Sequence, residues 1–350
     1  MERFIGLDAH SKTCTLVVMS ATGRKLREMV VETNGSALVD AVRGIAGTRR
    51  LCMEEGAQSQ WLFEILDPHV DELTVVKAIK HAGNKSDSID AWDLAERLRT
   101  GVTRTQRIFK VNKLQGLRAA SRAQRTAMRD MVRAKNRLRA VYRARGIPVE
   151  REIYTPKNRA SAERKLPSAE RKLAQQLGEH LDAMLASYER ANEWLKAESA
   201  KVPAVARLRT VPGLGAISAA HVVAIVITPD RFRTKRQFWS FSGLGVVTRT
   251  SADWMPDKNT GRWVRREINQ TRGLNRNRRP ELKSIFKAAA LSVIRMKDHP
   301  LTKDYEQATR NGIKPNLARL TLARRIAAAT LAIWKRKEEY DSEKHCAKAA

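Results

Sequence analysis

Cysteine is scarce in this chain of 350 residues, and the three present, Cys14, Cys52 and Cys346, lie far apart. Their odd number and wide spacing exclude a disulfide framework and a zinc ribbon, and they favour a reducing compartment. Long apolar runs are also missing, since no stretch approaches the roughly 18 uninterrupted apolar residues of a membrane-spanning helix. The first four residues lack the pattern of a secretory signal. We therefore expect a cytoplasmic protein without a membrane partner.

Acidic residues are also few relative to basic ones. Lys and Arg number 67 against 37 Asp and Glu, which gives a formal net charge of +30 at pH 7. Neutralisation of phosphates by Lys and Arg dominates nucleic-acid binding, so this imbalance predicts a nucleic acid as partner. Hydrophobic residues make up 42% of the chain, enough for packed cores, and the length allows two domains and a connector.

Residues 1–105 have the pattern of an α/β domain. Three strand-like runs are followed by a helix, a strand, a helix, a strand and a final helix that begins after Ser86. Ser86 is a suitable N-cap for that last helix, which should extend to about Arg99. This order predicts a ribonuclease H-like, RuvC-like fold. The strands are expected at Phe4–Leu7, Thr13–Met19, Lys25–Val31, Arg50–Met53 and Leu73–Ile79.

The remainder of the chain is mainly helical in pattern. Residues 106–200 predict a basic connector of two long helices with coiled-coil character, interrupted near Gly146 and Pro156. Residues 201–340 predict a helical C-terminal domain, and residues 341–350 a frayed tail. Gly213 and Gly215 lie in a helix-hairpin-helix-like turn, where glycine lets backbone N–H groups approach a phosphate. A plain helix-helix corner is the alternative for that turn.

A basic stripe is predicted on the first connector helix. Its arginines recur every three or four residues and therefore share one helix face. A solvated face usually mixes charges of both signs, whereas this one carries Asp130 almost alone. Phosphate contact is therefore favoured over simple solvation. The stripe comprises Arg118, Arg122, Arg125, Arg129, Arg133 and Arg137.

Four acids fall at positions that a metal site requires. Asp8 ends an apolar run, Glu54 follows another, and Asp87 and Asp90 share a face at the start of a helix. Magnesium takes oxygen ligands, and two such ions can clamp the attacking and leaving oxygens of a phosphodiester. The pattern therefore predicts an Mg²⁺ site that acts on a polyanion.

Each of these acids has an alternative explanation, and Asp8 could simply cap the end of a strand. Asp87 and Asp90 would favour the helix dipole as ordinary first-turn acids. Asp93 continues the same three-residue spacing and is a spare candidate ligand. Glu55 replaces Glu54 if the strand register slips by one residue, because such a slip turns the side chain to the other face.

Five motifs together resemble one family of proteins. They are Gly6-Leu7-Asp8-Ala9-His10-Ser11-Lys12, Glu54, Lys85-Ser86-Asp87-Ser88-Ile89-Asp90-Ala91, Val211-Pro212-Gly213-Leu214-Gly215 and Phe238-Trp239-Ser240-Phe241-Ser242-Gly243-Leu244. Their order is similar to that of the insertion-sequence one-ten transposases, whose DEDD catalytic domain is related to the RuvC Holliday-junction resolvases. The resemblance covers most of the chain.

The resemblance implies a function and a set of roles. The family consists of recombinases that join donor and target DNA under the guidance of a structured bridge RNA. Asp8, Glu54, Asp87 and Asp90 would hold Mg²⁺, and Ser242 would be the nucleophile. The implied assembly is a homo-oligomer, from dimer to tetramer, in which one subunit supplies the acids and another the serine.

The sequence departs from the family pattern near the expected nucleophile. The family commonly has a proline after Gly-Leu-x and a Ser-Gly pair downstream, whereas this chain has Gly245-Val246-Val247 and Ser251-Ala252. Ser240 is the alternative nucleophile, two residues before Ser242.

Two other functions fit parts of the sequence. One is a structure-specific nuclease of the Holliday-junction type, in which the acids activate water and the C-terminal domain only binds DNA. The other is a non-catalytic nucleic-acid-binding protein, which would explain the charge but not the ordered acids.

Overall fold

The structure is a computed structural model that describes residues 1–77, 86–102, 114–148, 151–248, 254–257, 260–265, 271–342 and 344. It divides into two compact units, Met1–Lys110 and Val111–Ala350, and each is described by itself. Among the described residues, no helix combines the length and the apolar character needed to cross a membrane. Most of the predicted frayed tail, and the Lys85 and Ser251 positions of the motifs, lie outside the described residues.

The first unit is built on one mixed sheet of five strands in the order β3-β2-β1-β4-β5. Strand β1 pairs antiparallel with β2 and parallel with β4, and β4 pairs parallel with β5. This is the arrangement of a ribonuclease H-like domain, so the predicted fold is confirmed. The elements are β1 (Glu2–Ala9), β2 (Thr13–Ser20), β3 (Lys25–Glu32), α1 (Gly35–Arg43), β4 (Thr48–Glu54), α2 (Ser59–Leu66), β5 (Glu72–Val76) and α3 (Asp87–Thr100).

Both faces of this sheet are covered, because the central strands are apolar at successive positions. On one face Leu7 and Met53, which are register partners, pack with residues of α1 and α2. On the other face Phe4 and Cys52 pack against Leu94 and neighbouring residues of α3. Helix α3 therefore lies against the face on which the even-numbered side chains of β1 project.

The second unit is mainly helical, as predicted. Within the described part of this unit, four short strands form two antiparallel pairs, β6 with β9 and β7 with β8. The elements are α4 (Gln115–Ala144), α5 (Pro156–Glu163), α6 (Ser168–Ala200), α7 (Pro203–Leu208), α8 (Ala216–Val226), α9 (Lys235–Phe241), β6 (Val246–Thr248), β7 (Trp254–Pro256), β8 (Trp263–Arg265), β9 (Thr271–Leu274), α10 (Pro280–Ile294), α11 (Pro300–Arg310) and α12 (Pro315–Arg336).

The long helices α4 and α6 pack along each other and form an apolar cluster of their own around Leu138, Tyr142 and Leu181. The opposite ends of the same helices belong to the main core of the C-terminal region. Leu117 of α4 and Leu195 of α6 are buried there with Phe238 and Phe286. The connector is therefore joined to the C-terminal region by a shared apolar core.

A buried polar chain fastens α4, α6 and α8. His221 Nε2 lies 2.9 Å from Gln124 Oε1, and His221 Nδ1 lies 2.8 Å from Ser121 Oγ. Gln124 in turn donates from Nε2 to Asn192 Oδ1 at 3.0 Å. Because an amide oxygen only accepts, His221 donates from Nε2 to Gln124. Since burial disfavours a charged ring, its Nδ1 accepts the hydroxyl of Ser121. The imidazole is thus held in its neutral form.

This network makes the stability of the second unit depend on pH. Burial, and secondarily the charge of Arg125, lowers the pKa of His221 to about 4. The unfolded histidine titrates near 6.5, so the stabilisation is complete above that pH and is lost as the pH falls towards 4. We expect a loss of about 3 kcal/mol across this interval, measured by urea unfolding. His221→Leu should be less stable at neutral pH and show a flatter profile. An equal pH slope in both proteins would contradict this assignment.

Candidate active site

The site in the first unit depends on the close approach of α3 to β1. A Cβ atom on Gly6 would lie 1.8 Å from the carbonyl oxygen of Ala91, so only glycine permits this packing. Gly6 and Asp8 project on the same side of β1, because side chains alternate along a strand. The close packing at Gly6 therefore brings the first turn of α3 beside Asp8.

The start of α3 is fixed by its cap. The hydroxyl oxygen of Ser86 accepts a hydrogen bond from the backbone N–H of Ile89 at 3.3 Å, as the sequence predicts. The helix then ends at Gly101, which has a positive φ of 76°. With the cap at Ser86, Asp87 and Asp90 both fall in the first turn.

Asp8, His10 and Asp87 form a compact group at this place. His10 Nε2 lies 3.0 Å from Asp8 Oδ2 and 3.3 Å from Asp87 Oδ1. One ligand atom from each of the three residues lies within 4.8 Å of the other two. Asp8 is largely buried, whereas the side chains of Asp87 and His10 are at least half exposed. The group is therefore anchored in the sheet and open towards solvent.

The electrostatics of this group favour a bound cation. Burial raises the pKa of Asp8, His10 opposes the shift, and the negative charges of Asp90 and Asp87 raise the pKa further. Several carboxylates that repel one another at short range are stabilised by a positive ion. Two carboxylates and one imidazole suit a divalent metal, because carboxylates bind Mg²⁺ and Mn²⁺ while imidazole adds affinity for transition metals. The residues present therefore fit a divalent cation.

The other predicted acids lie nearby but outside that compact group. The charge of Asp90 acts on Asp8, as its effect on the Asp8 pKa shows. Asp93 forms an ion pair with Arg97 one turn further along α3. Among the described residues, neither Asp90 nor Glu54 falls within the 4.8 Å group.

The register of β4 distinguishes Glu54 from Glu55. Leu7 pairs with Met53 in the parallel ladder, and both side chains enter the core beneath α1 and α2. The next residues, Asp8 and Glu54, therefore project on the opposite face, where α3 lies. Glu54 is the last residue of the strand and is half-buried, whereas Glu55 is exposed beyond it. Only Glu54 shares a face with Asp8.

His10 is the residue that sequence reasoning missed. It stands two residues after Asp8 in the Asp-Ala-His segment, and i, i+2 positions share a face of a strand. Its spacing was therefore a usable signal for a ligand beside Asp8. The signal is weak by itself, since β1 ends at Ala9 and a histidine beyond a strand is usually solvated.

In the second unit Ser242 directly follows α9 and is completely buried. Its hydroxyl has no hydrogen-bond partner among the described residues. Gly243 then turns the chain with a positive φ of 71°. A buried hydroxyl without a partner costs about 1–3 kcal/mol, so its presence calls for an explanation.

Ser240 has a different environment. It is half-buried, and its hydroxyl oxygen accepts a hydrogen bond from Asn275 Nδ2 at 2.8 Å. The segment from Asn275 to Arg279 lies against the turn that holds both serines. Arg279 donates its backbone N–H to Phe241 O at 2.9 Å, and a Cβ on Gly243 would lie 1.9 Å from Arg278 Cδ. Two arginines are therefore close to the candidate nucleophiles.

Mutual repulsion between arginines marks a cationic cluster at the same place. Burial lowers the pKa of Arg118, and the charges of Arg122 and Arg279 lower it further. Burial and the charge of Arg279 also lower the pKa of Arg231. A phosphate would relieve this repulsion. We therefore name Arg118, Arg122, Arg231 and Arg279 the arginine cluster.

The rest of the predicted stripe is partly neutralised. Arg125 lies 3.1 Å and Arg129 4.0 Å from Glu281 Oε1 on α10. Arg133 lies 3.3 Å from Asp130, while Arg122 is exposed and forms no ion pair with a described residue. The stripe is therefore continuous on α4, and Arg122 is one of its members whose charge no described carboxylate compensates.

This difference predicts unequal effects on nucleic-acid binding. Arg122→Gln should lower the slope of log affinity against log salt by about 0.9 for duplex DNA, because one phosphate contact is lost. Arg125→Gln is the matched control on the same helix, and its effect should be smaller since Glu281 already holds that guanidinium. Fluorescence anisotropy over a salt series measures both slopes. Equal slopes for wild type and Arg122→Gln would mean a merely solvated stripe.

The structure explains the need for glycine at only one of the two glycine positions in the predicted turn. Gly213 has a positive φ of 78°, and a Cβ there would lie 2.4 Å from Ala289 O on α10. Packing alone therefore requires glycine at that position. Gly215 is the N-cap of α8, and no atom lies within 4 Å of the place of its Cβ. The helix start beside Gly215 is thus sterically open to a phosphate.

The fold and the site define the class of the protein. The sheet is ribonuclease H-like, and it places one acid at the end of β1, another at the end of β4 and two more at the start of α3. This is the framework of a metal-dependent nuclease or strand-transfer domain.

Comparison with protein families identifies the chain more closely. Residues 5–144 match the transposase family with the DEDD domain of the IS110 type. Residues 205–307 match the transposase family described as IS116/IS110/IS902. The two stretches together cover more than half of the chain, which belongs to the IS110 family of transposases. Membership implies an enzyme that cuts and joins DNA during transposition of a mobile element. A comparison with curated proteins gave no match.

Proposed function

We propose that this transposase cuts and rejoins DNA strands with a serine nucleophile, assisted by Mg²⁺ bound at the acids. The observation that carries the proposal is the Asp8–His10–Asp87 group, with Asp90 acting on it and Glu54 on the same sheet face. Acids assembled in this way in a chain of net charge +30 are difficult to explain by stability alone.

The acids would hold the cation, and the fold keeps them in place. Asp8 is fixed by the strand ladder, and Asp87 and Asp90 by the capped first turn of α3. Bound Mg²⁺ would polarise the scissile phosphate and stabilise charge on the leaving oxygen. His10 contacts both carboxylates and would keep them oriented when the cation leaves.

The arginine cluster would hold the DNA backbone beside the serine turn. Arg118 and Arg122 approach Arg279, whose backbone donates to Phe241 one residue before Ser242. Planar guanidinium groups recognise phosphate through paired hydrogen bonds. A phosphodiester bound there would lie next to the turn and would neutralise the repulsion among the arginines.

Ser242 is the proposed nucleophile. Its Oγ would give up its proton and form a bond to phosphorus while the bond from phosphorus to the departing nucleotide oxygen breaks. One proton is thus released by the serine, and one is taken up by the departing oxygen. The covalent phosphodiester keeps the bond energy, so rejoining needs no added energy source. Because the hydroxyl is buried in the free protein, the turn that carries it must open before Ser242 can react.

The same burial favours a second function, a structure-specific nuclease in which metal-activated water attacks the phosphate. The acids of the first unit would then suffice, and the second unit would only bind DNA. This alternative predicts cleaved products without any protein–DNA adduct.

The proposal extends to partners. A structured bridge RNA would guide the enzyme to donor and target DNA in the cytoplasm of a bacterium or archaeon. A homo-oligomer, from dimer to tetramer, would combine the acids of one subunit with the serine of another. The family membership supports both statements.

Sequencing of the RNA that copurifies with the protein tests the guided reaction. We expect one discrete species from the flank of the mobile element. Supplying that RNA should permit Mg²⁺-dependent joining of two matching DNAs, and changing its pairing segments should redirect the joining. If the DNAs are joined equally well after a ribonuclease has removed all RNA, guidance by RNA is excluded.

A further inference from the structure

A groove of about 920 Å³ lies between α9 and α12 in the second unit. Trp239 of α9 and the alanines Ala328, Ala329 and Ala332 of α12 line it. Longer side chains at the three alanine positions would project into this space. The groove is thus kept open by the choice of small residues on one face of α12.

The charge of the groove is of one sign. Seven of the described residues that line it are Lys or Arg, and none is Asp or Glu. Arg233 and Lys235 stand on the α9 side. Cations therefore border the groove from both helices, with Arg324 and Lys335 among those on α12.

Four of these cations have no carboxylate to neutralise them within the described part of the chain. Arg324 donates to the carbonyl oxygen of Leu244 at 2.8 Å, and Lys335 donates to that of Phe232. Such bonds orient a cation but leave its charge uncompensated. Arg233 and Lys235 form no ion pair with a described residue. The groove therefore has an excess of positive charge that an anion would balance.

The aromatic residue adds a second kind of contact. Trp239 Nε1 donates to Arg324 O at 2.9 Å, which ties α9 to α12. Lys235 Nζ lies 5.8 Å from the centre of the Trp239 ring. A basic groove that contains an aromatic side chain is the usual arrangement for single-stranded nucleic acid, whose backbone follows the cations while a base contacts the ring. A duplex keeps its bases paired and stacked, so it has no free base to contact the ring.

We propose that the groove between α9 and α12 binds a short single-stranded segment of nucleic acid. The phosphates lie along Arg233, Lys235, Arg324 and Lys335, and one base contacts Trp239. This site shares no residue with the α4 stripe or the arginine cluster, and it does not depend on the identity of the catalytic serine.

The test uses the full chain and labelled oligothymidylate, oligouridylate and duplex DNA. Arg233→Gln combined with Lys235→Gln should weaken single-strand binding roughly tenfold and lower its salt slope by about 1.4, since two phosphate contacts are lost. Duplex binding should change much less. Ala332→Glu, which places a carboxylate in the groove, should weaken single-strand binding without removing any cation.

The matched control is Arg236→Gln combined with Lys303→Gln, which removes the same charge from exposed positions of this unit that do not line the groove. Equal losses in the control and the groove variant, or equal losses for duplex and single strand, would overturn the proposal. So would an Ala332→Glu protein that changes its oligomeric state but retains single-strand binding, because a second copy would then occupy the groove. Groove-dependent binding that is tighter for oligouridylate supports the site with RNA as ligand, and tighter binding of oligothymidylate supports it with DNA. Thermal unfolding of each variant confirms that the fold is intact.

Discussion

Asp8→Ala is expected to abolish DNA cleavage and joining, with a loss of at least about 10²–10³-fold. The reason is that Asp8 anchors the acid group in the sheet, and its loss removes a ligand from the cation. The fold should remain intact, because burial raises the pKa of Asp8 and its charged form therefore contributes no stability to the metal-free unit. A DNA strand-joining assay with Mg²⁺ measures the loss, and thermal unfolding checks the fold.

Asp87→Ala should behave like Asp8→Ala, because Asp87 belongs to the same compact group. Glu54→Ala and Glu55→Ala form a matched pair that separates a ligand from a solvated neighbour. Only Glu54 projects on the face occupied by Asp8, so only its removal should stop joining. An inactive Glu55→Ala beside an active Glu54→Ala would show that the register argument is wrong.

A metal-binding measurement separates lost affinity from lost fold. Titration of the wild-type protein with Mn²⁺, which replaces Mg²⁺ at oxygen-rich sites, should show binding that Asp8→Ala and Asp87→Ala weaken. Full metal affinity in both variants would exclude the group as the metal site, even if joining were lost.

The sequence predicted the first unit well because its signals are local. Alternating and continuous apolar runs located the strands, and Ser86 located the start of α3 within one residue. Those two results place Asp87 beside Asp8 once α3 is packed on the sheet. Gly6 carried the information for that packing, but its partner Ala91 is remote in sequence and was not recognisable beforehand.

The second unit was predicted less completely, for physical reasons. The two long helices have clear periodicity, whereas α11 and the strands β6 to β9 are short and lack regular alternation. The neutral His221 depends on Ser121 and Gln124, about a hundred residues earlier in the chain. The compensation of Arg125 by Glu281 is likewise a long-range contact, so the stripe looked more uniform in sequence than it is.

The burial of Ser242 is the largest difference between what the local sequence pattern suggests and what the structure shows. A serine before glycine suggests an exposed turn, but the preceding helix carries Phe238 and Phe241 into the core. The Asn275–Arg279 segment, from a later part of the chain, also lies against this turn. The proposed reaction at Ser242 therefore requires a rearrangement of this turn, which no local sequence pattern indicates.

Ser242→Ala is expected to eliminate the covalent protein–DNA adduct while leaving DNA, RNA and metal binding unchanged. Only bond formation uses the hydroxyl, whereas binding depends on the arginines and the acids. A denaturing gel of trapped reactions should show DNA attached to the wild-type protein and none attached to the variant. Because the substitution removes a buried hydroxyl without a described partner, it should also stabilise the second unit by about 1–3 kcal/mol.

Ser240→Ala is the matched control, and its adduct should persist. This variant loses the hydrogen bond from Asn275, so it should be slightly destabilised, opposite in sign to Ser242→Ala. An adduct that survives Ser242→Ala but not Ser240→Ala would assign the nucleophile to Ser240. An adduct that survives both changes would direct peptide mapping to Ser251, which lies outside the described residues. Cleavage without an adduct in any protein would establish the water-using nuclease.

A catalytic serine and a structural serine predict different results for Ser242→Ala. If Ser242 is the nucleophile, this variant alone should lose the chemistry and at the same time become more stable. A structural serine should not give this combination, because its hydroxyl is retained for the hydrogen bonds that it makes.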